Sequence, residues 1–226
     1  FKRLESSVNS FTLTLERILK QIEVMMSILD KGQEFDLDNH SFNVEDDELE
    51  DEIGGKIRIK VKDLDILKLK EDLSEDRKIL ETLLYQSIDI TPDKDAKLID
   101  LKKHITEKIN HPINKDNKKM IIFTSFSDTA EYLYENINEW LLQEHGLYTG
   151  IVTGSSGTKT NLKTVSNQFE AILAHFSPKS NHLRTDIEQI DVLIATDCIS
   201  EGQNLQDCDY LINYDIHWNP VRIVQR

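Results

Sequence analysis

The sequence has 226 residues, of which 38% are hydrophobic and 30% are charged, a balance typical of globular proteins with solvated helices. The formal net charge is −14, which disfavours a broad phosphate-binding surface because such surfaces rest on clustered Lys and Arg. No apolar run approaches the roughly 18 residues of a membrane span, and residues 1–5 lack the pattern of a signal peptide. The two cysteines, Cys198 and Cys208, suit a reducing cytosol. We therefore expect a cytoplasmic protein without disulfides or membrane contact.

The N-terminal segment has the spacing of one long amphipathic helix. Apolar residues recur there in alternating steps of four and three: Leu4, Val8, Phe11, Leu15, Ile18, Ile22, Met25 and Leu29. This spacing places them on one coiled-coil-like stripe. The stripe is interpreted as an intramolecular packing face, and helix-mediated self-association is the alternative.

The rest of the first half is predicted to be a loop followed by further helices. Residues 33–56 carry the acidic run 45–52 and are predicted to be a mobile acidic loop, with docking to a basic partner as the alternative. A short strand is predicted at 57–61, and helical spacing returns over 62–88.

The next helix is predicted to begin at Thr91-Pro92, with Thr as the cap, and to end at His111-Pro112. Its apolar face would be formed by Leu98, Leu101, Ile105 and Ile109. We therefore divide the chain into a helical region, 1–112, with a long amphipathic helix, and a second domain, 113–226.

The second domain alternates strands with helices. Strands are predicted at 120–123, 148–152, 192–195 and 210–213. One intervening helix would bury Ala130, Leu133, Ile137 and Trp140, and another, over about 160–176, would bury Val165, Phe169, Ile172 and Phe176. This alternation indicates an α/β fold with a parallel sheet covered on both faces.

Polar residues follow each predicted strand. They are Thr124-Ser125, Thr153-Gly154, Thr196-Asp197 and Asp215. Because the carboxyl ends of parallel strands share one edge of the sheet, where such folds bind ligands, we expect the functional site there.

Two common kinds of site are disfavoured. Residues 154–160 (GSSGTKT) have two residues between the glycines, and Thr158 stands before the lysine, so they do not match a Walker phosphate loop. Cys198, Cys208 and His217 lack the pairing of a zinc site. A flexible Gly/Ser loop that offers backbone N–H groups is the remaining interpretation of 154–160.

Four ordered blocks resemble the second RecA-like lobe of superfamily 2 helicases, and especially the Swi/Snf-type, RapA-like DNA translocases. Residues 119–130 (KMIIFTSFSDTA) resemble motif IV, and 149–154 (TGIVTG) resemble the following strand and turn. Residues 195–206 (ATDCISEGQNLQ) resemble motif V. Residues 213–220 resemble the turn before motif VI, and Gln225-Arg226 match its first two positions.

The resemblance implies roles for residues in these blocks. The implied nucleotide-binding residues are Glu201, Gly202, Asn204, Gln225 and Arg226. The implied nucleic-acid-binding residues are Thr124, Ser125, Phe126, Thr153, Gly154 and Thr196. ATP and Mg²⁺ would be held mainly by a first lobe whose Walker loop this sequence lacks.

The resemblance also implies an activity. We expect a fragment of an ATP-dependent helicase or translocase, truncated within motif VI and inactive as an ATP hydrolase by itself. Its implied partner is nucleic acid, in the first place double-stranded DNA, with RNA polymerase or another protein as a further partner. Two alternatives stay open: a degenerate lobe that serves as a protein-interaction scaffold, and an unrelated doubly wound nucleotide-binding domain.

Overall fold

The computed structural model of the chain describes residues 2–31, 65–154, 157–184, 186–199 and 202–216, together with Val221 and Val224. The chain divides into two compact units. One unit joins residues 1–12 to 87–226, and the other is formed by 13–86. The N-terminal dozen residues thus belong with the C-terminal part of the chain, whereas the sequence-based boundary between 1–112 and 113–226 stays a prediction.

The described elements comprise six helices, five strands and a short 3-10 turn. The helices are α1 (Lys2–Ser6), α2 (Val8–Lys31), α3 (Ile66–Ile88), α4 (Ala96–Asn110), α5 (Ser127–His145) and α6 (Phe169–Phe176). The strands are β1 (Met120–Phe123), β2 (Thr149–Val152), β3 (Thr158–Thr160), β4 (Val192–Ala195) and β5 (Leu211–Asn213), and the 3-10 turn is Asp197–Ile199.

The larger unit contains a five-stranded sheet in the order β3-β2-β4-β1-β5. Strands β2, β4, β1 and β5 are parallel, while β3 pairs with β2 in the antiparallel sense. The expected parallel sheet of an α/β domain is therefore confirmed, with one antiparallel strand added at an edge.

Helices cover the sheet on both faces. Successive side chains of a strand point to opposite faces, so each central strand contributes to both cores. On one face Met120 and Ile122 pack with the buried sides of α4 and α5. On the other face Ile121 and Phe123 pack with α6. The central strands β1, β2 and β4 are buried along their whole length, which explains why β1 and β4 are uninterrupted apolar runs.

The smaller unit is built from the greater part of α2 and from α3. Leu15, Leu19, Ile22 and Leu29 are buried there. Two ion pairs join the helices: Lys70 Nζ lies 2.5 Å from Asp30 Oδ1, and an Arg77 guanidinium nitrogen lies 3.4 Å from Glu23 Oε1. The stripe residues Leu15, Ile22 and Leu29 therefore pack within the chain. Ile18, which the heptad spacing placed on the stripe, is 36% exposed.

The structure corrects the start of the helix that was predicted from Thr91-Pro92. The backbone N–H groups of Lys94 and Asp95 both donate to the Thr91 carbonyl, which makes residues 91–95 a turn. Helix α4 begins at Ala96, and the Asp95 carboxylate accepts from the N–H groups of Lys97 and Leu98. The cap is therefore Asp95, since its side chain satisfies the first free donors of the helix.

The structure also shortens the helix that was predicted over about 160–176. Strand β3 occupies Thr158–Thr160, and α6 begins only at Phe169. The predicted burial is nevertheless correct. Val165, ahead of α6, is buried together with Ile172 and Phe176 of the helix, and Phe169 packs against them. The predicted helix over 62–88 is confirmed over Ile66–Ile88 as α3. Residues 62–64, the predicted strand at 57–61 and the acidic loop at 33–56 lie outside the described residues.

Among the residues that the structure describes, no helix is both long and apolar enough to cross a membrane.

Candidate functional site

The polar residues that follow the parallel strands do meet at one edge of the sheet. Three backbone bonds extend the strand ladder into this edge. Thr124 N–H donates to the Ala195 carbonyl at 3.0 Å, Thr196 N–H to Val152 at 3.2 Å, and Tyr214 N–H to Phe123 at 2.8 Å. The carboxyl edge therefore holds the starts of all the loops in which the sequence predicted a site.

A buried carboxylate organises the loop after β1. Asp215 Oδ2 accepts from Thr124 Oγ1 at 2.6 Å. Asp215 Oδ1 accepts from the Ser125 N–H at 2.8 Å and from Ser125 Oγ at 2.9 Å. Asp215 is 7% exposed and Thr124 is fully buried. In this conformation the Thr124 hydroxyl donates to the Asp215 carboxylate. Its predicted contact with a nucleic-acid phosphate stays a prediction.

The N-terminal segment lies against the same loop. Ser6 Oγ donates to Asp215 Oδ2 at 2.5 Å. The Arg3 guanidinium pairs with Asp128 Oδ2 at 2.7 Å and lies 4.7 Å above the centroid of the Phe126 ring. Phe126, which was predicted to contact nucleic acid, therefore stacks with a cation of the same chain.

The loop after β2 is closed on itself. Thr153 donates through both its N–H and its Oγ1 to the Gly157 carbonyl, at 3.2 and 3.1 Å. Gly157 has a φ of +90°, a left-handed conformation that suits glycine. Gly154 is exposed, and a Cβ added there would meet only Cys198 Cβ, at 3.9 Å. Gly154 thus leaves backbone open toward the loop after β4.

The loop after β4 contains the predicted motif V residues. Thr196 Oγ1 lies 3.4 Å from Cys198 Sγ, and Thr196 is 7% exposed. Gly202 has a φ of +74° and open space where a Cβ would lie. Asn204 is exposed, and its Nδ2 donates to the Ser180 carbonyl at 3.0 Å.

A second carboxylate fixes the loop on which Asn204 lies. Asp207 accepts from the N–H groups of Lys179 and Ser180 and from Ser180 Oγ. Partial burial opposes ionisation of Asp207, but these hydrogen bonds outweigh it and hold its pKa below the usual range. The loop that carries Gly202 and Asn204 is therefore anchored at its far end by an ionised carboxylate.

Metal ligands are not clustered in the described ranges. No group of three or more His, Cys, Asp or Glu side chains in them is arranged to hold a metal ion. Cys198 and Cys208 are both free thiols.

Comparison with known proteins decides the family. The model of the helicase conserved C-terminal domain matches residues 96–226. The chain belongs to this family. The resemblance seen in motifs IV and V is thereby confirmed at the level of the superfamily 2 helicase C-terminal domain.

Individual relatives of this helicase domain are helicases too. An uncharacterized ATP-dependent helicase YqhH of Bacillus subtilis (strain 168) is 32% identical over 156 residues, which are 66% of this chain and 24% of the relative. The ATP-dependent RNA helicase RhlB of Shewanella sp. (strain W3-18-1) is 25% identical over 138 residues, 57% of this chain and 26% of that protein. The chain thus spans about a quarter of the length of these relatives.

A solved structure matches as well. The Hef helicase domain of Pyrococcus furiosus has a TM-score of 0.41 and 26% identity, over 69% of this chain and 27% of that one.

The helicase domain brings together some of the predicted site residues and leaves others apart. Those at the carboxyl edge are Thr124, Ser125, Phe126, Thr153, Gly154 and Thr196. Gly202 and Asn204 lie on the exposed loop after β4. Glu201, Gln225 and Arg226 lie outside the described residues.

Sequence reasoning missed the residues that hold this edge in place. Arg3 and Ser6 contact it from over 100 residues away in the chain, through Asp128 and Asp215. Lys97 lies 4.1 Å from the centroid of the Tyr214 ring, just after β5. Lys97 Nζ donates to the carbonyls of Glu5 and Ser6 at 2.7 and 2.8 Å, and burial lowers its pKa. The pair of serines at 6–7, in an otherwise amphipathic segment, is a sequence signal that could have found them.

Proposed function

We propose that this helicase C-terminal domain works within a longer ATP-dependent translocase of the Swi/Snf type, close to the RapA-like branch. Its lobe would close on ATP held by a first RecA-like lobe and would contact the backbone of double-stranded DNA. Cycles of closure and opening would move the protein along the duplex. The observation that carries the proposal is the convergence of the loops after β1, β2 and β4 on one edge of a parallel sheet.

The loop after β4 fits a nucleotide. Gly202 offers exposed backbone in a left-handed conformation with nothing within 4 Å of its missing Cβ, so a ligand can approach closely. The exposed Asn204 amide is suited to hydrogen bonding with a ribose hydroxyl. We assign nucleotide contacts to Gly202 and Asn204, and we extend the assignment to Glu201, Gln225 and Arg226 by their motif positions.

Mg²⁺ fits the described residues of this domain less well, because they do not form a carboxylate cluster. We therefore propose that the first lobe supplies the ligands of the metal, and that bound ATP–Mg²⁺ provides the phosphoryl group that is transferred to water. On this basis the 226-residue chain alone does not hydrolyse ATP, since its sequence has no Walker loop.

The nucleic-acid contacts are assigned to short polar groups. Ser125, Thr153 and Thr196 provide hydroxyls, Gly154 provides exposed backbone, and Phe126 provides a ring beside them. Hydroxyls and backbone N–H groups are common donors to phosphate oxygens and carry no sequence information. We therefore expect nucleic-acid binding without sequence preference. We further propose that the protein acts in the cytoplasm and that RNA polymerase is a candidate protein partner.

The test is nucleic-acid-stimulated ATP hydrolysis by the full-length protein. Gly202→Ala strains a left-handed position by roughly 1–3 kcal/mol, so we expect stimulated hydrolysis to fall about tenfold. Gly146→Ala, at another left-handed position far from the proposed site, is the matched control and should keep the rate. Equal rates for both variants would contradict the nucleotide assignment. Parallel assays with DNA duplex and RNA duplex decide the substrate.

A scaffold role is the second candidate, and the net charge of −14 favours it. A scaffold requires no phosphate contacts. Binding of the full-length protein to a DNA duplex distinguishes the two, because a translocase loses affinity steeply as salt rises. Weak binding without a salt slope would support the scaffold.

A further inference from the structure

The N-terminal segment is held on the helicase lobe by buried polar contacts. We call residues 2–10 the latch. Its two serines, Ser6 and Ser7, are 0% and 3% exposed. Both hydroxyls lie within hydrogen-bond distance of Thr129 Oγ1, at 2.7 and 3.0 Å, and Ser7 Oγ also accepts from the Ser10 N–H as a helix cap. Buried hydroxyls of this kind are costly to leave unpaired, so the latch has a defined seat.

Further contacts hold the latch beside its serines. Arg3 pairs with Asp128 in the first turn of α5, where it also lies over Phe126. Lys97 from α4 donates to the carbonyls of Glu5 and Ser6 at the end of α1. A cation at the C-terminal end of a helix satisfies free carbonyls and opposes the helix dipole. The latch is therefore fixed to α4 and to α5.

The latch and the loop after β1 share one carboxylate. Asp215 Oδ2 accepts from Ser6 of the latch and from Thr124 of the loop. Asp215 Oδ1 accepts from the N–H and the hydroxyl of Ser125. Because the two oxygens belong to one rigid planar group, a shift of Ser6 that rotates the carboxylate must disturb the bonds to Thr124 and Ser125.

We propose that Asp215 is a relay that couples the position of the latch to the conformation of the loop Thr124-Ser125-Phe126. When the latch is seated, the loop is held in the geometry described above. When the latch is displaced, Asp215 turns and its hydrogen bond with the Ser125 N–H breaks. This inference rests on the proposed function only in its last step: if the loop contacts nucleic acid, the latch regulates that contact.

Residue-resolved hydrogen exchange on the 226-residue chain tests the relay. Ser6→Ala removes the latch hydroxyl and does not alter Asp215, Thr124 or Ser125. Loss of a buried hydrogen bond destabilises by about 1–3 kcal/mol, so we expect the Ser125 and Phe126 amides to exchange about tenfold faster. Amides of α6, on the opposite face of the sheet, serve as the internal reference and should not change.

A second variant approaches the latch from its other end. Arg3→Gln removes both the ion pair with Asp128 and the direct contact with Phe126, so in this variant the Ser125 amide is the readout. That amide should exchange faster even if Ser6→Ala folds poorly. Asp100→Asn, an exposed carboxylate on α4, is the control and should exchange like the wild type. Faster exchange in residues 2–10 alone, or no change at Ser125 in either variant, would overturn the relay.

The exchange result does not depend on activity. If the full-length protein binds no nucleic acid, the proposed function fails, whereas the coupling of Ser6 to Ser125 is still decided by the amides. If the protein does bind a DNA duplex, Ser6→Ala should change its affinity and Asp100→Asn should not.

Discussion

The Lys108 ammonium lies 2.6 Å from Asp209 Oδ1, and the Lys108 side chain is only 1% exposed. Lys108 also donates to the Asn117 carbonyl, and Asn114 donates to Asp209 through its N–H and its Nδ2. Burial opposes ionisation of Asp209, but the hydrogen bonds and charge of Lys108, with help from Asn114, hold its pKa below the usual range. This buried pair joins α4 to the segment that enters β5.

We predict that Lys108→Met destabilises the chain by about 3–5 kcal/mol, because it leaves the Asp209 carboxylate without its buried partner. Chemical denaturation measures the change. Lys103→Met, at an exposed position of the same helix, should stay within about 0.5 kcal/mol of the wild type. A loss below 1 kcal/mol for Lys108→Met would show that Asp209 finds water or another donor. The double variant with Asp209→Asn should lose less than the sum of the two single variants.

Gly150 in β2 is predicted to tolerate no side chain. A Cβ there would lie 2.9 Å from Ile172 Cγ2 and 3.4 Å from two atoms of Ile190, all in the packed core. Gly150→Ala should therefore destabilise by about 1–3 kcal/mol through overpacking. Thermal unfolding tests this, with Gly154→Ala as the control, where the nearest atom is 3.9 Å away. The double variant Gly150→Ala with Ile172→Ala should lose less stability than the sum of the two single variants, because the smaller side chain removes the clash. Losses that simply add would argue against a steric cause.

Helix α4 is predicted to depend on the Asp95 side chain. Asp95→Ala removes the acceptor for Lys97 N–H and Leu98 N–H and also leaves Tyr132 Oη, 2.9 Å away, without its partner. Caps contribute about 0.5–2 kcal/mol, and the orphaned hydroxyl adds to the loss. Thr91→Ala, at the position the sequence favoured as the cap, should change stability by less than about 0.5 kcal/mol. A larger stability loss for Thr91→Ala than for Asp95→Ala in urea denaturation would instead identify Thr91 as the cap.

Tyr134 is predicted to weaken the fold at alkaline pH. Burial, with help from the charge of Glu131, raises its pKa to about 12. Because the folded-state pKa lies above the unfolded value of about 10, the stability that this group contributes is complete below pH 10. It is lost as pH rises through 12.

Tyr134→Phe should therefore flatten the fall in stability between pH 10 and pH 12, where the wild type loses roughly 2–3 kcal/mol from this site. Denaturant midpoints measured across this range give the slope. Tyr85→Phe, at a residue that is 80% exposed, is the control and should keep the slope of the wild type. Identical slopes for Tyr134→Phe and the wild type would show that the hydroxyl ionises freely in the folded chain.

The sequence predicted the core strands well because their signal is local. Residues 120–123 and 192–195 are apolar runs of strand length, and burial on both faces is the physical reason for such runs. Strand β3 has no such signal: Thr158, Lys159 and Thr160 are polar and half-buried. It forms because it pairs with β2 in the antiparallel sense. This pairing leaves no periodic apolar pattern in the sequence.

The candidate site was predictable in position and only partly in contacts. The edge of the sheet follows from strand direction alone. The partners of Thr124 and Ser125 do not, since Asp215 reaches them from about 90 residues along the chain and Ser6 reaches Asp215 from over 200. Packing between distant segments decides these bonds, and a single sequence holds no local pattern that reports them.

The discontinuity of the larger unit has a consequence for how the chain folds. Residues 1–12 can take their place only after the chain closes a loop that contains all of 13–86. Closing such a loop costs entropy before any contact compensates it, so the seating of the N-terminal residues is expected to be a late event in folding. The entropic cost of closing a loop grows with the logarithm of its length, so doubling the length of 13–86 would add only about 0.6 kcal/mol. The intervening segment is therefore free to vary in length among related chains while the lobe that it interrupts keeps its stability.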